Sequence, residues 1–254
     1  MFFRLPEFSD LEGYLILLLY KNRSHCKKQY VYQDNDSGEY KISKKRIKKN
    51  RPGNILHKEK KRSRKTMNKI EIIKKGITKL DVDVIVNAAN KHLQAGGGVC
   101  GAVFRDAGYS ELQKACDKIG FCHTGGAVIT PGFNLKAKYI IHAVGPVWEG
   151  GNADEPKKLY SCYKKSLELA KENSCHSIAF PLISSGIFGY PKDKAWRKAL
   201  QACLDFISEN EDYDIDIYFA VLDDSAKALG EKHCWNLQKQ IPMNSSLKKL
   251  QKQP

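Results

Sequence analysis

Two glycine-bearing stretches hold the residues whose types and spacing suit chemistry. The first runs from Val86-Asn87-Ala88-Ala89-Asn90 to Gly96-Gly97-Gly98-Val99, and the second is Ser184-Ser185-Gly186-Ile187-Phe188-Gly189. Glycines let the backbone approach a ligand closely with no side chain in the way. The N–H groups of such a turn point into one concavity, and a helix that follows adds its positive N-terminal end. This makes a nest for a phosphate or diphosphate and needs no lysine. A lone Gly-Gly-Gly reads more readily as a tight turn that packs a helix on a sheet. Two such loops imply a ligand with two phosphates or one clasped diphosphate. Asn90, a polar amide just after an apolar strand, either caps the local backbone or hydrogen-bonds sugar hydroxyls. Phe188, set between glycines, is either a hydrophobic plug or a platform beside a sugar or base. Cys100 lies near a helix N-terminus, where a thiol can acidify. A nucleophile also needs a base with a relay acid, and no histidine is visibly so placed. His142, inside an apolar strand, reads as a satisfied core residue, and His92 as an exposed loop residue.

The elements that must position these loops follow from hydrophobic periodicity. Strands are expected at Lys69–Lys75, Val82–Val86, Ala127–Thr130, Lys138–Ala143, Ser177–Ile183 and Ile215–Leu222. Helices are expected at Val99–Ala107, Ser110–Ile119 with Ser110 as N-cap, Leu159–Glu172, Lys192–Ile207 and Ser225–Lys239. Alternating strands and helices mean an α/β layered domain with a largely parallel central sheet. Short β-branched strands without a polar face imply that both faces are covered. In open sheets of this kind ligands sit outside the carboxyl ends of the strands, which puts both glycine loops on one rim.

The chain has 254 residues, 42% of them hydrophobic, and a net charge of +15. That hydrophobic content excludes global disorder. The charge is local: residues 41–66 hold 13 Lys/Arg and one acid, Glu59. Like charges at this density repel, so the expected organisation is a basic, disordered extension (1–66), a folded domain (67–240) and a flexible tail (241–254). The basic stretch reads as an arm for weak nucleic-acid contact, as a solvated linker, or as a leader upstream of a start at Met67. The eight cysteines are scattered without C-x-x-C spacing, which argues against structural zinc and for free thiols in a reducing, cytoplasmic setting. Leu15–Leu19 is too short an apolar run to span a membrane. No cofactor or metal is called for, and a monomer is expected.

The motifs taken together carry a resemblance. Asp83 to Asn90, Gly96 to Gly101, Gly125-Gly126-Ala127-Val128-Ile129-Thr130, Ile141-His142-Ala143-Val144-Gly145-Pro146 and Ser184 to Gly189 follow one another as the ordered motifs of a macrodomain do. The match covers roughly residues 67–240 and is most similar to MacroD-type ADP-ribosyl hydrolases and O-acetyl-ADP-ribose deacetylases. The resemblance implies a three-layer α/β/α sandwich around a mixed, largely parallel sheet that binds ADP-ribose or an ADP-ribosylated protein. It implies that Asn90 contacts the distal ribose, with Asn87 and Ala88 of the same motif among the binding residues. Gly97, Gly98 and Val99 would approach the diphosphate and that ribose. Ser184, Ser185, Gly186 and Ile187 would form the second diphosphate loop, with Phe188 as a lid over the distal ribose, and Ile77 would lie at the adenine. Asn90, Gly98 and the position of Cys100 would carry the chemistry, hydrolysis of a mono-ADP-ribosyl ester or of O-acetyl-ADP-ribose.

The sequence departs from that pattern twice. Lys75-Gly76-Ile77-Thr78 stands where the family has Gly-Asp-Ile-Thr, so the acceptor for the adenine amino group is missing. One net hydrogen bond of roughly 0.5–1.5 kcal/mol corresponds to about tenfold weaker or less selective adenine binding unless Asp81 or Asp83 substitutes. Cys100 stands where bacterial relatives carry an acid, and a general base is worth about 10²–10⁴-fold. Some viral macrodomains resemble this Gly-Val-Cys arrangement, and in them the substrate's own phosphate is thought to activate water. The alternatives are a reader that binds ADP-ribose without chemistry, and association with RNA or poly-ADP-ribose through residues 41–66.

Overall fold

The apolar runs after residue 68 pair side by side because each offers two hydrophobic faces. The computed structural model describes residues 28–34, 40–46 and 68–240. In chain order these are β1 (Lys28–Asp34), β2 (Tyr40–Arg46), β3 (Ile70–Lys74), a 3-10 turn (Ile77–Lys79), β4 (Val84–Ala88), α1 (Gly98–Ala107), α2 (Tyr109–Ile119), β5 (Ala127–Pro131), β6 (Tyr139–Ala143), α3 (Glu155–Glu172), β7 (Ser177–Phe180), α4 (Lys192–Glu209), β8 (Asp216–Val221) and α5 (Asp224–Gln240). β1 and β2 pair antiparallel as a hairpin, with Lys28 opposite Arg46 and Asp34 opposite Tyr40. Residues 41–46 were expected within a structureless basic stretch. They instead form a strand, in keeping with the β-forming Tyr30, Val31, Tyr32 and Ile42. The Leu15–Leu19 run, residues 47–66, a start at Met67 and the tail 241–254 lie outside the described residues.

The main sheet has six strands in the order β3-β8-β7-β4-β6-β5, parallel throughout except for the antiparallel edge strand β5. Strand alternation sorts the core into two layers. Val84, Val86, Ile141, Phe180 and Phe219 pack with Leu159, Tyr163, Trp196 and Leu200 of α3 and α4, and α5 adds Cys234 and Leu237. Ile85 and Ile140, of the opposite parity, pack with Val103, Phe104 and Leu112 of α1 and α2. The result is the expected three-layer sandwich around a mixed, mostly parallel sheet. The seven cysteines of the described region are all buried with free thiols. Among the described residues no helix is long and apolar enough to cross a membrane.

Three boundaries differ from expectation for local reasons. The run Ser177–Ile183 stops as a strand at Phe180, because Pro181 has no N–H to give the ladder. α3 starts four residues before Leu159, at Glu155, with Pro156 in its first turn. Ser110 is not a cap: α2 opens at Tyr109 behind Gly108, whose φ of 100° makes the sharp link from α1.

Where Pro181 ends β7, a side chain takes over the backbone pairing. Tyr163 of α3 is completely buried, and its hydroxyl accepts from Ile183 N (2.9 Å) and donates to Pro181 O (3.3 Å). It holds the chain as it leaves the sheet for the second glycine loop. Tyr163→Phe leaves both backbone groups unpaired, so unfolding in urea is expected to show a loss of about 1–3 kcal/mol.

Candidate active site

β4 lies at the centre of the sheet, between β7 and β6, and its carboxyl end delivers the first glycine loop. The loop turns into α1 at Gly98, which has a φ of 60°, and Gly97 in front of it supplies no side-chain cap. The first amides of α1 are therefore left by the protein for another acceptor. Beyond β7 the second loop begins at Ser184, held at φ 64°. The loops face each other: a Cβ placed on Gly97 would lie 3.7 Å from Ile187 Cδ1. Ile187 is nonetheless 84% exposed, standing over the gap between them. Both loops thus share one rim, as the strand order requires.

Asn90 shapes the first loop. Its Oδ1 accepts from His92 N (3.2 Å) and Gln94 N (3.1 Å), and its Nδ2 donates to Gln94 O (2.6 Å). It caps the local backbone and at the same time lines an open groove of about 380 Å³. Phe188 lines the same groove, with His92, Thr124, Val147 and Lys158 around them. His92 is exposed, as expected. Ala88 is half-buried at the end of β4.

Asn87, expected among the binding residues, is fully buried beneath the loop. It shares the strand parity of Ile85 and so faces α1. Its Nδ2 lies 3.6 Å from Cys100 Sγ and 3.1 Å from His142 Nδ1, and the other ring nitrogen of His142 lies 2.9 Å from Thr130 Oγ1. Burial pushes the His142 pKa down to about 4, so the ring is neutral. Cys100 is 7% exposed, and burial raises its thiol pKa despite the Asn87 amide and the Gly96 backbone, which pull it down. Desolvation outweighs the helix end here, and Cys100 is a protonated thiol rather than a thiolate nucleophile. Two buried polar atoms, Asn87 Oδ1 and Ser184 Oγ, have no hydrogen-bond partner; they lie at the feet of the two loops.

On the side expected to face the adenine, the structure places the residues as follows. Ile77 follows β3 in a 3-10 turn, and its side chain is buried, at 4% exposure, among core residues rather than open on a surface. Neither proposed substitute for the missing acid is at the rim, because both precede β4 while the glycine loops follow the strands. Asp83 is consumed at the opposite end of the sheet by Lys138 Nζ (2.8 Å), His176 N (2.9 Å) and Ser177 N (3.1 Å). Asp81 pairs loosely with Lys136. Among the described residues no three of His, Cys, Asp and Glu converge as metal ligands.

Sequence reasoning reached Pro146 but missed the rest of one wall of the groove, the β6–α3 connection with Val147, Glu149 and Ala153, and Glu155 behind it. Its one legible signal is the Gly150-Gly151 pair shortly before a proline-led helix.

Three comparisons bear on this site. The Macro domain family model matches residues 86–199. A macro domain-containing protein of Mesorhizobium japonicum is 54% identical over 52% of this chain and 74% of its own length. A macro domain-containing protein of Chlorobaculum tepidum is 47% identical over 59% of this chain and 92% of its own. Among solved structures, the Oceanobacillus iheyensis macrodomain with ADP superposes with a TM-score of 0.65 at 37% identity, covering 68% of this chain and 94% of that one. The Trypanosoma brucei macrodomain in complex with ADP-ribose gives 0.59 at 36% identity, covering 65% of this chain and 68% of that one.

The neutral His142 sets a pH dependence. An unfolded histidine binds a proton as pH falls through about 6.5, whereas the folded one does so only near 4. The contribution is complete above the unfolded value and fades as pH drops from about 6.5 to 4, by about 3 kcal/mol at most. Urea midpoints across that range are expected to fall in the native protein and to flatten in His142→Gln.

Proposed function

The chain belongs to the macrodomain family, and from that premise we propose that it binds ADP-ribose and hydrolyses an ester bond at the distal ribose. The substrates are mono-ADP-ribosylated acidic side chains or O-acetyl-ADP-ribose. The observation that carries this reading is the pair of facing glycine loops at the carboxyl ends of β4 and β7, with the N-terminus of α1 uncapped between them. Neighbours of similar structure that hold ADP and ADP-ribose support it.

In this reading the diphosphate is held by main-chain N–H groups of Gly97, Gly98 and Val99 on one side and Ser185, Gly186 and Ile187 on the other. Asn90 and Phe188, which line one groove, take the distal ribose between them. The neutral, buried Cys100 is no general base. The attacking water is instead positioned by the ligand's own phosphate, and the glycine-loop amides stabilise the charge that develops. Water adds to the ester and expels the other half, so the products are free ADP-ribose and a carboxylic acid. Loss of the acid before Ile77 leaves the adenine held by shape more than by a specific acceptor.

The buried thiol favours one second reading, a module that binds ADP-ribose and does not turn it over. Incubating the full chain with mono-ADP-ribosylated protein and following released ADP-ribose separates the two, alongside calorimetric titration with ADP-ribose. Binding with release is the expected result, tight binding without release leaves the reader, and no binding removes both. Cys100→Asp is expected to raise turnover, by up to the 10²–10⁴-fold that a general base supplies. Unchanged turnover in that variant, with binding intact, would mean that the missing acid does not limit the native reaction.

A further inference from the structure

One wall of the groove is irregular backbone held by a single buried carboxylate. Glu155, the first residue of α3, is 1% exposed. Its Oε1 accepts from Glu149 N (3.0 Å) and Gly151 N (2.9 Å), and its Oε2 from Ala153 N (2.6 Å). Burial alone would raise its pKa, but the backbone donors outweigh it and hold the carboxyl down at about 2. The connection depends on this pin, because Gly150, Gly151 and Asp154 all sit at positive φ (102°, 99° and 60°).

The pinned loop reaches the second glycine loop through Trp148. Gly151 lies flat on the indole, where a Cβ would come within 2.8 Å of the ring. Tyr190 packs edge-on at 4.6 Å, and the Lys194 ammonium stands 5.0 Å from the ring centre. The Trp148 backbone N–H donates to the backbone carbonyl of Phe188 at 2.9 Å. Glu149, Ala153, Glu155 and Phe188 all line the same groove as Asn90. By contrast, the second loop closes its own turn by Gly189 N to Gly186 O (2.9 Å) and Tyr190 N to Ser184 O (3.0 Å), without Glu155.

We propose that Glu155 is a positioning residue: by pinning residues 149–153 it fixes Trp148 and Phe188, and so sets the grip on the distal ribose while leaving the diphosphate grip unchanged. The proposal rests on the ADP-ribose reading above. A glutamine is no substitute, because its NH₂ would face a backbone N–H that needs an acceptor.

The test uses the full chain and two ligands that differ by the distal ribose, ADP and ADP-ribose, titrated into native protein, Glu155→Gln and Gly151→Ala. Both variants are expected to keep ADP affinity within about twofold and to lose ADP-ribose affinity about tenfold. Turnover should fall by about 10²-fold, as for a misplaced reacting group. Equal loss of both ligands, or no loss of either, overturns the proposal. If the native protein binds ADP but not ADP-ribose, the functional reading fails and this proposal with it, a result distinct from any variant effect. Should Glu155→Gln not fold, Gly151→Ala carries the test: it keeps the carboxylate, and its added Cβ, which would meet the Trp148 ring at 2.8 Å, disturbs the same pinned loop from the other side at a position whose φ of 99° favours glycine.

Discussion

A surface made of main-chain N–H groups has to be shaped by side chains that stand behind it. The rim of this domain is built under that constraint. The residues that face the gap between the two loops are mostly glycine, alanine and serine, and they have little with which to hold themselves in place. The work falls on polar side chains that give up their hydrogen bonds to backbone. Asn90 spends three on the first loop, Tyr163 two at the root of the second, and Glu155 three on the wall between β6 and α3. Each satisfies backbone groups that the neighbouring strand or helix has stopped satisfying, where an unpaired buried group would cost a full desolvation penalty.

Beneath the first loop the same logic runs without charge. Asn87, His142, Thr130 and Cys100 share hydrogen bonds in a space closed to water, and burial keeps both the imidazole and the thiol neutral. The low local dielectric that strengthens these bonds also denies the thiol its reactive form. The acidifying influence of a helix end is a short-range partial charge, and at position 100 desolvation outweighs it even with the Asn87 amide and the Gly96 backbone pulling the same way.

Much of this was legible in the sequence because it rests on local periodicity. Glycine after an apolar strand marked both loops, and the unbroken apolar run Val84, Ile85 and Val86, with no polar face, announced a strand covered on both sides. The reading of His142 as a satisfied core residue needed only its apolar neighbours. What was not legible depends on chain reversal. Glu155 sits in an ordinary helical pattern, and its role exists only because residues 149–153 fold back over it. Asp81 and Asp83 looked available because they are close in number to Gly76, yet the chain crosses the sheet between them and puts Asp83 at the far end. Asn87 and Asn90, three residues apart, looked alike, but Asn87 is still in β4 and faces the core, whereas Asn90 lies past the strand's end at the rim.

The main-chain character of the rim has a consequence for how such a domain diversifies. Where recognition is delegated to backbone amides, the side chain nearest the reacting atoms can be exchanged without dismantling the receptor. Cys100 occupies its position with the loop, the helix start and the supporting Asn90 bonds all intact. Affinity and reactivity are then separately heritable traits. Under the proposed function, a substitution at this one buried position would change the chemistry while the backbone scaffold stays as it is.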